Sequence, residues 1–202
     1  ASTAYITAQR QIVLPALPAD DPNSTALTLG YLVHEAAHAR FTDFDAGEGA
    51  QPLQVALHQV IEDLRIEKAI QAVLPGAAGY LVGAWELVYA DGQVMRPGDQ
   101  PRDSVFEDLW AWLMAFCRLN ALGLAAAADD LPKGRASVLY HLGEERTKAC
   151  EEVFEASLLC NTTADTYGAF LGYGAGPLKA GVTYETYADG PATSGTYNEV
   201  IT

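Results

Sequence analysis

Leu27-Thr28-Leu29-Gly30-Tyr31-Leu32-Val33-His34-Glu35-Ala36-Ala37-His38-Ala39-Arg40-Phe41 reads as one helix with chemistry on a single face. Histidines four apart lie about one turn from each other, so both imidazoles can reach one metal ion. Glu35, beside the first histidine, sits where it can take a proton from a water that such an ion activates. The pattern is HExxH. It occurs once, and it takes two of the four histidines in the chain.

Working outward from this helix, Ser24 or Thr25 suits its N-cap, and it is expected to end near Phe41-Thr42-Asp43. Upstream, Gln11-Ile12-Val13-Leu14-Pro15 reads as a short strand closed by proline. Downstream, Gly47 and Gly49 mark a connection, and Pro52 suits the first turn of a second helix. Leu53, Ala56, Leu57, Val60, Ile61 and Leu64 recur at three and four, and Pro75-Gly76 stops the pattern after about Val73. Residues 79–88 fit helix or strand equally. Ser104 caps a third long helix with Val105, Leu109, Trp112, Leu113 and Phe116 on its apolar face. Asp129, Asp130, Pro132 and Gly134 read as a turn before a helix from about Ala136 to Leu159. The expectation is a mainly α-helical (α+β) domain over residues 1–160 with a small N-terminal β element. Residues 161–202, rich in Gly, Thr and Tyr, form a packed extension or a linker.

The 202 residues suffice for one good-sized domain, and half of them are hydrophobic, so a packed core is expected. A net charge of −14, from 26 acidic against 12 basic residues, argues against a nucleic-acid surface, which needs clustered Lys and Arg. Cys117, Cys150 and Cys160 form no CxxC pair and read as free thiols of a reducing compartment. The stretch Ala1 to Tyr5 lacks the signature of a signal peptide, and each apolar run is broken before it reaches membrane-spanning length. A cytoplasmic protein with no membrane partner is the expectation.

A catalytic zinc takes three protein ligands and keeps a position for water. Beyond His34 and His38, the best third ligand lies in His58-Gln59-Val60-Ile61-Glu62-Asp63-Leu64-Arg65-Ile66-Glu67. Glu62 and Asp63 are about 100° apart around a helix, so at most one of them points at the ion. Asp63 and Glu67 share a face, and an acid that is not a ligand can orient a histidine by accepting its ring N–H. His58 reads as structural.

HExxH followed by a glutamate on the next helix resembles the gluzincin type of zinc metallopeptidase. His34 to Phe44 with Ile61-Glu62-Asp63-Leu64-Arg65-Ile66-Glu67 more narrowly resembles metallopeptidase-like regions of von Willebrand A-associated bacterial and phage proteins related to cobaltochelatase CobT. The resemblance spans roughly residues 27–70, and no DxSxS adhesion motif follows it. It implies a zincin-like helical domain, with His34, His38 and Glu62 on Zn2+, Glu35 as general base, and Asp63 and Glu67 as supporting acids or alternative ligands. It also implies a protein or peptide substrate and allows a von Willebrand A or ATPase partner. For the oxyanion donor, Tyr140 and His141 are the first candidates and Tyr31 another. The alternative is a catalytically silent module in which zinc staples two helices. Glu35 weighs against it, because a structural site has no use for a base.

Overall fold

In the computed structural model of the chain, the described residues are 4–6, 11–46, 52–98 and 100–171. They are mostly helical, with one small antiparallel sheet at the N-terminus. Strands β1 (Tyr5–Ile6) and β2 (Ile12–Val13) pair with Tyr5 opposite Val13 and Ile6 opposite Ile12. The helices are α1 (Ser24–Phe41), α2 (Pro52–Val73), α3 (Ala77–Ala90), α4 (Val105–Leu122), α5 (Ala125–Ala128), α6 (Leu131–Ser157) and α7 (Thr163–Leu171). No described helix is long and apolar enough to cross a membrane.

Helix α2 sits centrally, because apolar residues line more than one of its faces. Leu57, Val60, Ile61 and Leu64 pack with Leu109, Trp112, Leu113 and Cys117 of α4 and with Val138 and Phe154 of α6. Ile66 and Ile70 instead meet Ala37 of α1 and Leu81 of α3. Each such large aliphatic side chain contributes about 1.5–3 kcal/mol by leaving water, so the rotation of α2 about its axis is held from two sides. Helix α1 comes close to α3 at Gly30. A Cβ there would lie 2.2 Å from Ala84 Cβ and 2.8 Å from the Tyr80 carbonyl oxygen.

Residues 77–90, which the sequence leaves open between helix and strand, are helical. The longest helix begins earlier than its turn-like residues suggest: Pro132 falls in the first turn of α6, where its missing N–H has no role. Gly143 then interrupts α6 with φ 75°, a conformation that a side chain would strain. Of the Gly/Thr-rich segment 161–202, residues 163–171 form α7, which packs on α2 and α6. Its start is a reciprocal cap. Asp165 accepts from the Asn161 and Thr162 amides, and Thr162 Oγ1 accepts from the Asp165 amide. The remainder, 172–202, lies outside the described residues.

Candidate metal centre

Helix α1 presents His34 and His38 to α2 with their rings edge to face, centroids 4.8 Å apart. Opposite them stands Asp63. Its Oδ1 lies 3.3 Å from His38 Nε2 and 3.7 Å from His34 Nε2, and the ligand atoms of the three residues all lie within 4.8 Å of one another. Tetrahedral zinc with bonds of about 2.0–2.2 Å sets its ligands about 3.3 Å apart. The two separations from Asp63 are therefore near the spacing that one such ion requires.

The other nitrogen of each ring is held from behind. His34 Nδ1 lies 3.0 Å from Glu67 Oε1; a carboxylate only accepts, so this nitrogen carries the hydrogen. His38 Nδ1 lies 3.0 Å from Thr42 Oγ1, and the Thr42 hydroxyl donates to Glu62 Oε1 at 2.8 Å. Thr42 has one hydrogen and gives it to Glu62, so it accepts from His38. In both neutral rings Nε2 keeps its lone pair, and both Nε2 atoms turn toward Asp63.

Two separate networks anchor these supports. Arg118, fully buried, donates to Glu67 Oε2 and Asp63 Oδ2 at 2.7 Å each and lies 3.9 Å from the centre of the Trp85 ring. Trp85 Nε1 also donates to Glu67. Glu62, by contrast, is 1% exposed and turned to the opposite side of α2. It is held there by Arg65 through Nε and a terminal nitrogen, by Thr42, and by Thr163 and Thr166 of α7. Glu62, the expected third ligand, has both oxygens engaged by Arg65 and the threonines, and the acid that lies together with His34 and His38 is Asp63. Glu67, on the face it shares with Asp63, is the acid that accepts from His34 Nδ1.

The charges point the same way. Glu35, Asp63 and Glu67 set three carboxylates beside the imidazoles, and Arg118 returns one positive charge. With neutral imidazoles two negative charges stay uncompensated, the charge of one divalent cation. Without an ion the deficit appears as proton affinity. Burial works against a charged His34, yet Asp63 and Glu67 outweigh it and push its pKa up to about 9. Burial would raise Asp63, but His34, His38 and Arg118 hold it well below the usual carboxylate range. Glu35 is buried, and desolvation raises it despite the two imidazoles.

His34, Glu35 and Asp63 form the polar end of a cavity of about 280 Å³. Its walls are mainly apolar, from Leu81, Trp85 and Val88 of α3 to Met114 of α4. Tyr31, one turn before His34, lines it as well. Tyr140 and His141, the first candidates for an oxyanion donor, do not. Tyr140 is 76% exposed on α6, and His141 Nε2 lies 3.2 Å from Asp108, the carboxylate that also holds Arg102. Their helix packs on α4, and neither residue lines the cavity that His34, Glu35 and Asp63 close; His141 instead joins Arg102 on Asp108.

Sequence reasoning missed Arg118, Trp85, Thr42 and Thr163. Arg118 had a signal, since it is the one charged residue between Leu109 and Leu122. Thr42 had one too, standing four after His38. Trp85 and Thr163 carry none in their local sequence. Comparison with protein-family models, with curated proteins and with solved structures finds no match to this chain.

Proposed function

We propose that the chain is a zinc-dependent metallopeptidase in which His34, His38 and Asp63 hold the ion and Glu35 is the general base. The observation that carries this reading is the convergence of two Nε2 atoms and one carboxylate oxygen beside a buried glutamate, at the polar end of a cavity. A bound zinc would polarise the scissile carbonyl and make a water acidic near neutral pH.

The residues of the chain do the rest. Glu35, whose proton affinity is raised by burial, takes the proton of the attacking water and returns it to the departing amine. The Tyr31 phenol, on the same face as His34, is the donor available to the developing oxyanion. Apolar walls around Trp85 exclude water and suit a non-polar side chain next to the cleaved bond. A protein or peptide is the substrate class, and a von Willebrand A or ATPase partner rests on the resemblance alone. Buried, unpaired Cys117 and Cys150 suit the reducing cytoplasm. A zinc staple without catalysis would leave both Glu35 and the cavity without a role.

Glu35→Gln tests the assignment. Zinc content, measured by atomic absorption, is expected to stay stoichiometric, while cleavage of a mixed peptide library drops by about 10²–10⁴-fold. Cleavage that survives in Glu35→Gln removes the proposed mechanism.

A further inference from the structure

The contact between His38 and Thr42 extends into a buried chain that ends on the last described helix. Thr42 lies just past the end of α1, one turn beyond His38, and closes the helix by donating its own amide to the His38 carbonyl. The same residue thus holds both ends of His38, its carbonyl by the amide and its Nδ1 by the hydroxyl. Glu62 receives the Thr42 hydroxyl, and Glu62 is in turn fixed by Arg65, by Thr163 Oγ1 at 3.1 Å and by Thr166 Oγ1 at 3.3 Å. Thr163 also accepts from the Asp43 amide at 2.9 Å, which ties α7 back to the residue after Thr42. Arg65 reaches the Phe41 carbonyl at the end of α1 as well. Helix α7 therefore grips both Glu62 and the backbone that follows α1.

We propose that Thr42 is a positioning residue that locks His38 with Nε2 toward Asp63, and that α7, through Thr163, takes part in the site by holding Glu62, the anchor of that lock. This rests on the metal-centre reading and adds to it a part for residues that touch neither ion nor substrate. A ring held by its second nitrogen loses little freedom when Nε2 takes up a metal, and supports of this kind are worth about 10–100-fold in metal affinity. The arrangement also links the ends of the described chain's helical body: undocking α7 would release Glu62, then Thr42, then the ring.

The test is zinc affinity by chelator competition, with the visible spectrum of the Co2+-loaded protein as a second readout. Thr42→Val keeps the shape and removes the hydroxyl. It is expected to weaken zinc by about 10–100-fold and to alter the cobalt bands. Thr42→Ser restores the hydroxyl and is expected to return both to within about threefold of the wild type. Thr163→Val, which leaves Thr42 intact, weakens zinc in the same direction by a smaller factor. A Thr42→Val protein with wild-type affinity and spectrum overturns the lock, and so does a Thr42→Ser protein that is no better than Thr42→Val. A wild-type chain that takes up no zinc overturns the metal centre itself, a result distinct from either. Thermal melting of each metal-free variant separates loss of the lock from loss of the fold.

Discussion

On one side of α2, Asp63 and Glu67 look toward α1, α3 and the cavity; on the other, Glu62 and Arg65 look toward α7. Both sides bury carboxylates, and both pair them with an arginine. They differ in what is left over. Glu62 spends its oxygens on Arg65 and three threonine hydroxyls, and these bonds hold it below the usual carboxylate range although burial opposes them. Asp63 gives one oxygen to Arg118 and turns the other to two imidazoles, with no further donor from the protein at that oxygen among the described residues. A carboxylate finished by the protein is structure, and one left half-finished is available to an ion.

The sharpest break between the two sides is a pair of substitutions at adjacent positions. Structural zinc binding is worth about 10–16 kcal/mol at neutral pH, and one ligand of three carries roughly a third of that. Asp63→Ala is accordingly expected to weaken zinc on the order of 10³-fold. Glu62→Gln, which leaves His34, His38 and Asp63 in place but loosens Thr42 and unpairs Arg65, should cost about 10–100-fold. Competition with a fluorescent chelator measures both. A larger loss at Glu62 than at Asp63 would invert the comparison.

The arginines offer the next test, in stability rather than affinity. Arg118 is 0% exposed and pairs with two acids, so Arg118→Met leaves buried Glu67 and half-buried Asp63 without their cation. Breaking a buried pair in this way costs about 3–5 kcal/mol. Urea unfolding of the metal-free protein should register that loss, and saturating zinc should recover part of it by replacing the missing charge beside Asp63. No recovery with zinc would mean that Asp63 does not face the ion.

The difference between Glu62 and Asp63 also explains what could be read from the chain. The bounds of α2 are legible because Pro52 and Pro75-Gly76 act locally, and the HExxH face is legible because a helix has a fixed period. Which of two neighbouring acids meets that face depends on how α2 is rotated. That rotation is set by partners far away in sequence: Leu113 and Phe154 on one side, Ala37 and Leu81 on the other, and Thr163 about a hundred residues beyond Glu62. Local pattern carries none of this. Tyr140 and His141 fail for the same reason, since nothing in Leu139-Tyr140-His141-Leu142 tells which side of α6 meets α4.

His58 provides the smallest and most selective test, because it sits on the α7 side alone. Its Nδ1 lies 2.7 Å from Thr166 Oγ1, and its ring stacks on Tyr167 with centroids 3.6 Å apart. Burial lowers its pKa to about 4 although Glu62 and Asp63 pull upward. In the unfolded chain the ring has its ordinary value near 6.5. The unfolded state therefore binds the extra proton first, and the stability that His58 contributes is present above about pH 6.5 and drains away as pH falls toward 4. The loss amounts to up to about 3 kcal/mol over that interval. His58→Asn, which keeps a polar group facing Thr166, should start less stable at neutral pH and decline less steeply between pH 6.5 and 4. Following α7 by hydrogen exchange across the same interval should find its amides opening before those of α4, since the new charge appears on a buried ring packed against Thr166 and Tyr167 of α7. Parallel profiles in wild type and variant would remove His58 from the grip of α7 on α2.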